Sequence, residues 1–263
     1  MPAPDVSDDH GLLCAAVREA GALARSMSGD VEHWKKDDGT PISHADLEVD
    51  TLLKTTLTSD RPDYGWLSEE TRDDHARLER SRLWVVDPID GTKAFLKGDP
   101  HWTVSAALVE DGRPVLAAVY NPITEEFFDV VVGAVARLNG SAIEASPRTE
   151  LPGCRIIMHR SVVNSKKWTE PWPAMRMEMR NSMAYRLCLV ACGAFDAVVT
   201  ISSKSAWDLA GADLLVHEAG GAVSAHDGAP FIYNQPDHTC PNVLAAGPGL
   251  YDTLLERTKA RRN

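Results

Sequence analysis

The stretch Leu83-Trp84-Val85-Val86-Asp87-Pro88-Ile89-Asp90-Gly91-Thr92 constrains this chain more than any other. Its apolar run reads as a short buried strand that ends on Asp87. Two acids three positions apart at a strand end can converge on one cation, because Pro88 stiffens the turn and Gly91 lets the backbone approach a ligand closely. Hard oxygen ligands select magnesium, which is held by one or two carboxylates and keeps waters and phosphate oxygens around it. Thr92 to Leu96 reads as the opening of a helix, whose free N–H groups can receive phosphate. Read alone, the motif is equally compatible with Asp90 or Thr92 as an N-cap in a sharp turn.

Around this stretch the pattern alternates between helix and strand. Leu12, Leu13, Ala16, Val17, Ala20 and Leu23 recur at three and four, so Asp8 to Met27 is predicted to be helical. After a polar loop at 35–39, a second helical pattern runs from Ala45 to Leu57, with Asp46 in its first turn. Trp102 to Val109 and Val115 to Tyr120 read as a hairpin joined through Gly112, and Phe127 to Val132 as a further strand. Breakers concentrate in Ser146 to Gly153, the predicted linker. Beyond it, strands are expected at Arg155 to Met158, Met175 to Met179 and Ala197 to Ile201. Helices are expected at Met183 to Gly193 and Trp207 to Ala219. The period-two methionines Met175, Met177 and Met179 read as core packing of a half-buried strand, not a sulfur-rich metal site.

Composition excludes several classes. With 263 residues, 44% hydrophobic and 25% charged, the chain can bury a sizeable core. It has no apolar run long enough to span a membrane, and Met1 to His10 carries acids where a signal peptide would be basic and then apolar. The expected compartment is the cytoplasm. Five scattered cysteines without a C-x-x-C pair argue for buried thiols, not disulfides or zinc. A net charge of -11 would repel a nucleic-acid polymer, and the basic tail Lys259, Arg261, Arg262 reads as a solvated helix end. An acidic protein that handles phosphate needs cations in its site, which points to metal.

Two further places supply acids. Leu67-Ser68-Glu69-Glu70-Thr71 follows the predicted strand Tyr64 to Leu67, and Asp208 opens an apolar helix after Ser205. Glu69 and Glu70 can be a solvated loop, and Ser205 with Asp208 has capping-box spacing, so each stretch has a purely structural reading. Other hydrolase chemistries lack their residues: there is no H-x-x-x-H pair, no G-x-S-x-G and no P-loop. The acids after the strand are three apart, where an aspartate-nucleophile phosphatase wants two.

Taken together, Glu69, Asp87 to Thr92, and Trp207-Asp208-Leu209-Ala210 leading to Ala219-Gly220-Gly221 resemble the inositol monophosphatase superfamily over nearly the whole chain. The resemblance implies an α/β fold, a layered αβαβα sandwich, with a metal-binding part at residues 1–145 and a part completing the active site at 154–263. It implies Glu69, Asp87, Asp90, Asp208 and the Ile89 carbonyl as metal ligands, Glu69 also serving catalysis, for roughly two or three magnesium ions. Thr92 and Asp46 match the dyad that orients the attacking water. Asp90, Gly91, Thr92, Ser182 and Asp208 match substrate-binding positions, and Lys36 matches a lysine near a weaker extra metal.

The implied reaction is hydrolysis of a small phosphate monoester such as an inositol monophosphate, by a homodimeric enzyme. Two departures bear on substrate. Where inositol phosphatases carry an acid some seven positions before the last aspartate, this chain reads Thr200-Ile201, and the small-residue substrate loop reads Asn181-Ser182-Met183. They keep adenosine 3',5'-bisphosphate, the substrate of a 3'(2'),5'-bisphosphate nucleotidase, in contention. A catalytically silent binder of phosphorylated metabolites would lack a ligand, and none is lacking. The resemblance also predicts inhibition by lithium: LiCl at tens of millimolar should slow turnover in a phosphate-release assay, and unchanged turnover would remove that expectation.

Overall fold

The computed structural model describes residues 6–29 and 31–261, so the reading of Met1 to Asp5 and of Arg262 lies outside the described residues. The predicted first helix is α1 (Ser7–Met27), with Leu13, Val17, Ala20 and Ala24 buried along one stripe. A ribbon of β1 (His33–Lys35) and β2 (Pro41–Ser43) then leads into α2 (His44–Asp60). Ser43 and Asp46 form a capping box at the start of α2. The large sheet comprises β3 (Gly65–Ser68), β4 (Arg82–Asp90), β5 (Thr103–Glu110), β6 (Arg113–Asn121), β7 (Glu126–Val131), β8 (Arg137–Leu138) and β9 (Ser141–Ala142), side by side in that order. A single turn, α3 (Thr92–Phe95), follows β4.

Strand β4 does not stop at Asp87 as the sequence suggests. It pairs with β5 at Asp87↔Ser105 and again at Asp90↔Thr103, so three steps on β4 face two on β5. Pro88 cannot donate to the ladder, and the extra residue is accommodated as in a bulge, which re-aims the two acids. Between β5 and β6 the turn residues Asp111 and Gly112 both have positive φ, 49° and 79°, the twist that suits a tight hairpin.

The predicted linker, Ser146 to Gly153, carries no helix or strand. After it come β10 (Arg155–Ile157), α4 (Arg160–Val163), β11 (Arg176–Glu178), α5 (Met183–Ala191), β12 (Ala197–Thr200), β13 (Lys204–Ser205), α6 (Ala206–Glu218), β14 (Ala222–Ser224), β15 (Thr239–Cys240), β16 (Val243–Ala246) and α7 (Pro248–Lys259). The smaller sheet has the order β11-β10-β12-β16-β14, with β10 parallel to β11 and β12 and the other pairs antiparallel. Met175 and Met177 pack against its core, whereas Met179 is 41% exposed where β11 ends at the sheet edge.

Three cores define five layers. Trp84 and Val86 face α1 and α2 together with Leu13 and Leu53. Their alternating neighbours Leu83 and Val85 face the opposite way, into a core with Leu187, Leu209 and Val198. Ile156, Val199 and Leu244 turn from the smaller sheet towards Leu250 and Leu254 of α7. The result is the expected αβαβα sandwich. Helices α5 and α6 form its middle layer, and α6 is buried nearly all round because sheets cover it on both sides. Truncating Leu209, fully buried there, to alanine should cost about 2–5 kcal/mol of stability in chemical denaturation; a loss under about 1 kcal/mol would contradict this packing.

Candidate active site

The middle layer and the large sheet meet at a cleft of about 320 Å³ whose lining includes Glu69, Asp87, Asp90, Thr92, Arg186 and Asp208. Oxygens of Asp87, Asp90 and Asp208 lie within 4.8 Å of one another, although β4 supplies two of these residues and α6 the third. Each acid is held differently. Asp208 Oδ2 accepts from Ser205 N at 2.7 Å in a capping box, so Asp208 caps α6 and joins the trio at once. Asp90 Oδ2 accepts from Ser182 Oγ and from Ala184 N, both at 2.6 Å, at the start of α5. Asp87 has neither oxygen hydrogen-bonded, though it is only 1% exposed.

The electrostatics follow from that crowding. Burial and then the charges of Glu69, Asp90 and Asp208 hold the Asp87 carboxyl well above its usual range. Burial raises Asp90 too, against the hydrogen bonds from Ser182 and Ala184. Asp208 is pushed up to about 7, by burial and by Asp90. Three carboxyls that resist ionising together, one of them unpaired in the interior, form a donor set that could hold a hard divalent cation. The all-oxygen donor set fits magnesium.

Glu69 lines the same cleft but stands outside the trio. Its Oε1 accepts from Lys36 Nζ at 2.9 Å, and Lys36 also reaches Glu70 Oε1 at 2.8 Å. A fourth carboxylate gains more from an ammonium than from three acids. Burial lowers the Lys36 pKa, but the two glutamates outweigh it and raise the net value, while burial lifts Glu70 to about 7.

Thr92 Oγ1 lies 3.2 Å from Asp46 Oδ1 and 3.2 Å from the Ile89 carbonyl, so the dyad and the backbone oxygen expected from the sequence are neighbours. Asp46 Oδ2 is fixed by Ser43 N at 2.8 Å, and burial raises its carboxyl. Gly91, with φ of 99°, bridges the motif; a Cβ there would come 3.1 Å from His101 O and 3.2 Å from Ser182 N. Ser182 is completely buried, its hydroxyl accepting from Tyr185 N at 2.9 Å while bonding Asp90. Its hydroxyl therefore meets Asp90, which lines the cleft, while Ser182 itself is not among the lining residues.

Arg186, absent from the sequence-based candidates, also lines the cleft. The signal was present: it is the one charged residue of the nine in α5, and a charge in an apolar buried helix requires a reason.

The fold is that of the inositol monophosphatases and their relatives. A solved extragenic suppressor protein suhB from Bartonella henselae superposes with a TM-score of 0.83 at 26% identity, over 96% of this chain and 99% of that one. The chain belongs to the Inositol monophosphatase family, whose signature it matches across residues 9–260. Similar proteins include Inositol monophosphatase 2 of Solanum lycopersicum, 30% identical over 91% of this chain and 94% of the relative. A Histidinol-phosphatase of Mycobacterium tuberculosis is 33% identical over 96% and 98%. Among the described residues no helix is long and apolar enough to cross a membrane.

Asp87, Asp90 and Asp208 bind protons more tightly folded than unfolded. Their contribution to stability is complete below the ordinary value of 3.8 and is lost as pH rises through the folded values, about 7 for Asp208. Added magnesium should therefore raise the melting temperature of chelator-treated protein more at about pH 8 than at about pH 6. A magnesium shift equal at both pH values in scanning calorimetry would contradict this electrostatic picture.

Proposed function

We propose that this protein is a magnesium-dependent phosphomonoesterase acting on a small phosphorylated metabolite. The observation that carries this reading is the clustered trio Asp87, Asp90 and Asp208, with Asp87 buried and unpaired, beside the Thr92–Asp46 contact. Glu69, Asp87, the Ile89 carbonyl, Asp90 and Asp208 would hold the metal ions. Bound there, magnesium supplies positive charge for the phosphoryl oxygens and lowers the pKa of water.

The chain's own groups orient and deprotonate. Thr92 Oγ1 can accept a hydrogen bond from the attacking water while its own proton points to Asp46 Oδ1, 3.2 Å away. Burial, which raises the Asp46 carboxyl, makes it a better proton acceptor than an exposed aspartate. Ser43 fixes the other Asp46 oxygen, so the acceptor does not rotate away. The Gly91 and Thr92 amides face the phosphate in this reading, and Lys36 steadies Glu69 and Glu70 beside the cleft.

Residues 1–145 thus contribute the β4 acids and the water-orienting pair, and residues 154–263 contribute Asp208 and the substrate wall. The net charge of -11 favours a metabolite over a nucleic-acid polymer as ligand. An inositol monophosphate or a histidinol phosphate fits the names of the relatives; a bisphosphate fits the cation on the wall. Asp87→Asn and Asp208→Asn should each lower kcat at least about a hundredfold with p-nitrophenyl phosphate and magnesium. Near-normal turnover in either variant would reject the assignment.

A further inference from the structure

The cleft is acid-rich, yet two cations line it, the exposed Lys93 and the partly buried Arg186. Arg186 curls back over the start of α5, donating Nε to Arg180 O at 2.7 Å and Nη2 to Asn181 O at 3.3 Å. Among the described residues no carboxylate forms an ion pair with it, and Nη1 has no hydrogen-bond partner. A guanidinium partly withdrawn from water with only carbonyls for company is incompletely satisfied. Burial lowers its pKa, and only the more remote charges of Asp90 and Asp208 oppose that. Those same acids are the ones a metal would occupy.

The rest of this wall offers no competing acceptor. From the second half of the chain, only Asn181, Arg186 and Asp208 line the cleft, and Asp208 belongs to the trio. Ahead of Asp208 in the chain, Thr200-Ile201 supplies no carboxylate to accept from sugar hydroxyls, and the Thr200 hydroxyl is 3.0 Å from Ser202 Oγ. In the phosphatase reading the scissile phosphate would be met by cations held on the trio and by amides of the β4–α3 turn. Arg186 hangs from a different element, and among the described residues its hydrogen bonds go only to its own loop. A planar fork with a free edge suits a carboxylate or phosphate, and a 320 Å³ cleft holds more than one phosphate group.

We propose that Arg186, with the Asn181 amide beside it, forms a binding subsite for a second anionic group, so that the substrates are phosphomonoesters carrying another phosphate or a carboxylate. This rests on the phosphatase reading for the scissile group. A cationic phosphomonoester such as histidinol phosphate is disfavoured by the same guanidinium.

Matched pairs test it: adenosine 3',5'-bisphosphate against adenosine 3'-monophosphate, and 3-phosphoglycerate against glycerol 3-phosphate, each with magnesium. The first pair reports a phosphate and the second a carboxylate as the extra anion. Wild type should prefer the doubly anionic member of at least one pair by about tenfold or more in kcat/KM, and Arg186→Met should abolish that ratio. A ratio near one in wild type, or one that survives in Arg186→Met, overturns the subsite. Should Arg186→Met unfold, Arg186→Gln, which retains a donor for the loop carbonyls, takes its place with the same expectations. Failure of the phosphatase reading looks different: no compound, including p-nitrophenyl phosphate, is hydrolysed. Calorimetric titration of the same pairs then decides, with equal affinities overturning the subsite and tighter binding of the doubly anionic member, lost in the variant, supporting it.

Discussion

Carboxylates held at the starts of helices are the interaction on which this structure depends. Asp46 closes the capping box of α2, Asp208 closes that of α6, and Asp90 accepts from the first turn of α5. A helix start offers unpaired N–H groups and the positive end of the macrodipole, so it stabilises an acid that burial would otherwise neutralise. Each such contact uses one carboxylate oxygen and leaves the other for chemistry. The three carboxyls are thereby held within 4.8 Å of one another, although burial and their mutual repulsion still outweigh these hydrogen bonds and raise all three. Asp87 alone has no anchor of this kind, and the strain of the assembly is concentrated on it.

The layering turns these local devices into one site. Strand β4 lies inside the large sheet, and its bulge at Pro88 presents Asp87 and Asp90 at one end. Helices α5 and α6 are sandwiched between the two sheets, which brings Ser182, Arg186 and Asp208 to the same end. Residues more than a hundred positions apart in the chain therefore meet through packing of the middle layer and not through any loop. In the same arrangement Arg186 of α5 and the acids of β4 line the cleft from different elements.

Much of this was legible in the sequence because the determinants are local. The run ending in Asp87, the stripe of α1 and the turn at Gly112 each follow from spacing over a few residues. What escaped was set by tertiary context. Asp208 posed a choice between capping and coordination that the structure dissolves, since one oxygen serves α6 and the residue still joins the trio. The ion pair between Glu69 and Lys36, more than thirty positions away in sequence, left no local signal. Ser182 reads as a substrate contact from the resemblance to the family's small-residue loop, and the sequence does not reveal that it is also the buried N-cap of α5, bonded to Asp90. The ribbons β1–β2 and β13–β15 span only two or three residues per strand, too short for periodicity to register. Helix α7 announces itself with Pro248 at its start and Leu250 and Leu254 four apart, a signal left unused.

In the proposed enzyme Asp87, Asp90 and Asp208 together enclose a divalent cation. A crystal soaked in manganese, a magnesium surrogate with an anomalous signal, would locate that ion. An anomalous peak within coordinating distance of all three carboxylates, about 2.0–2.6 Å, is the predicted result. Fully loaded crystals with no peak between them, or with manganese bound elsewhere and Asp87 still unpaired, would contradict the account.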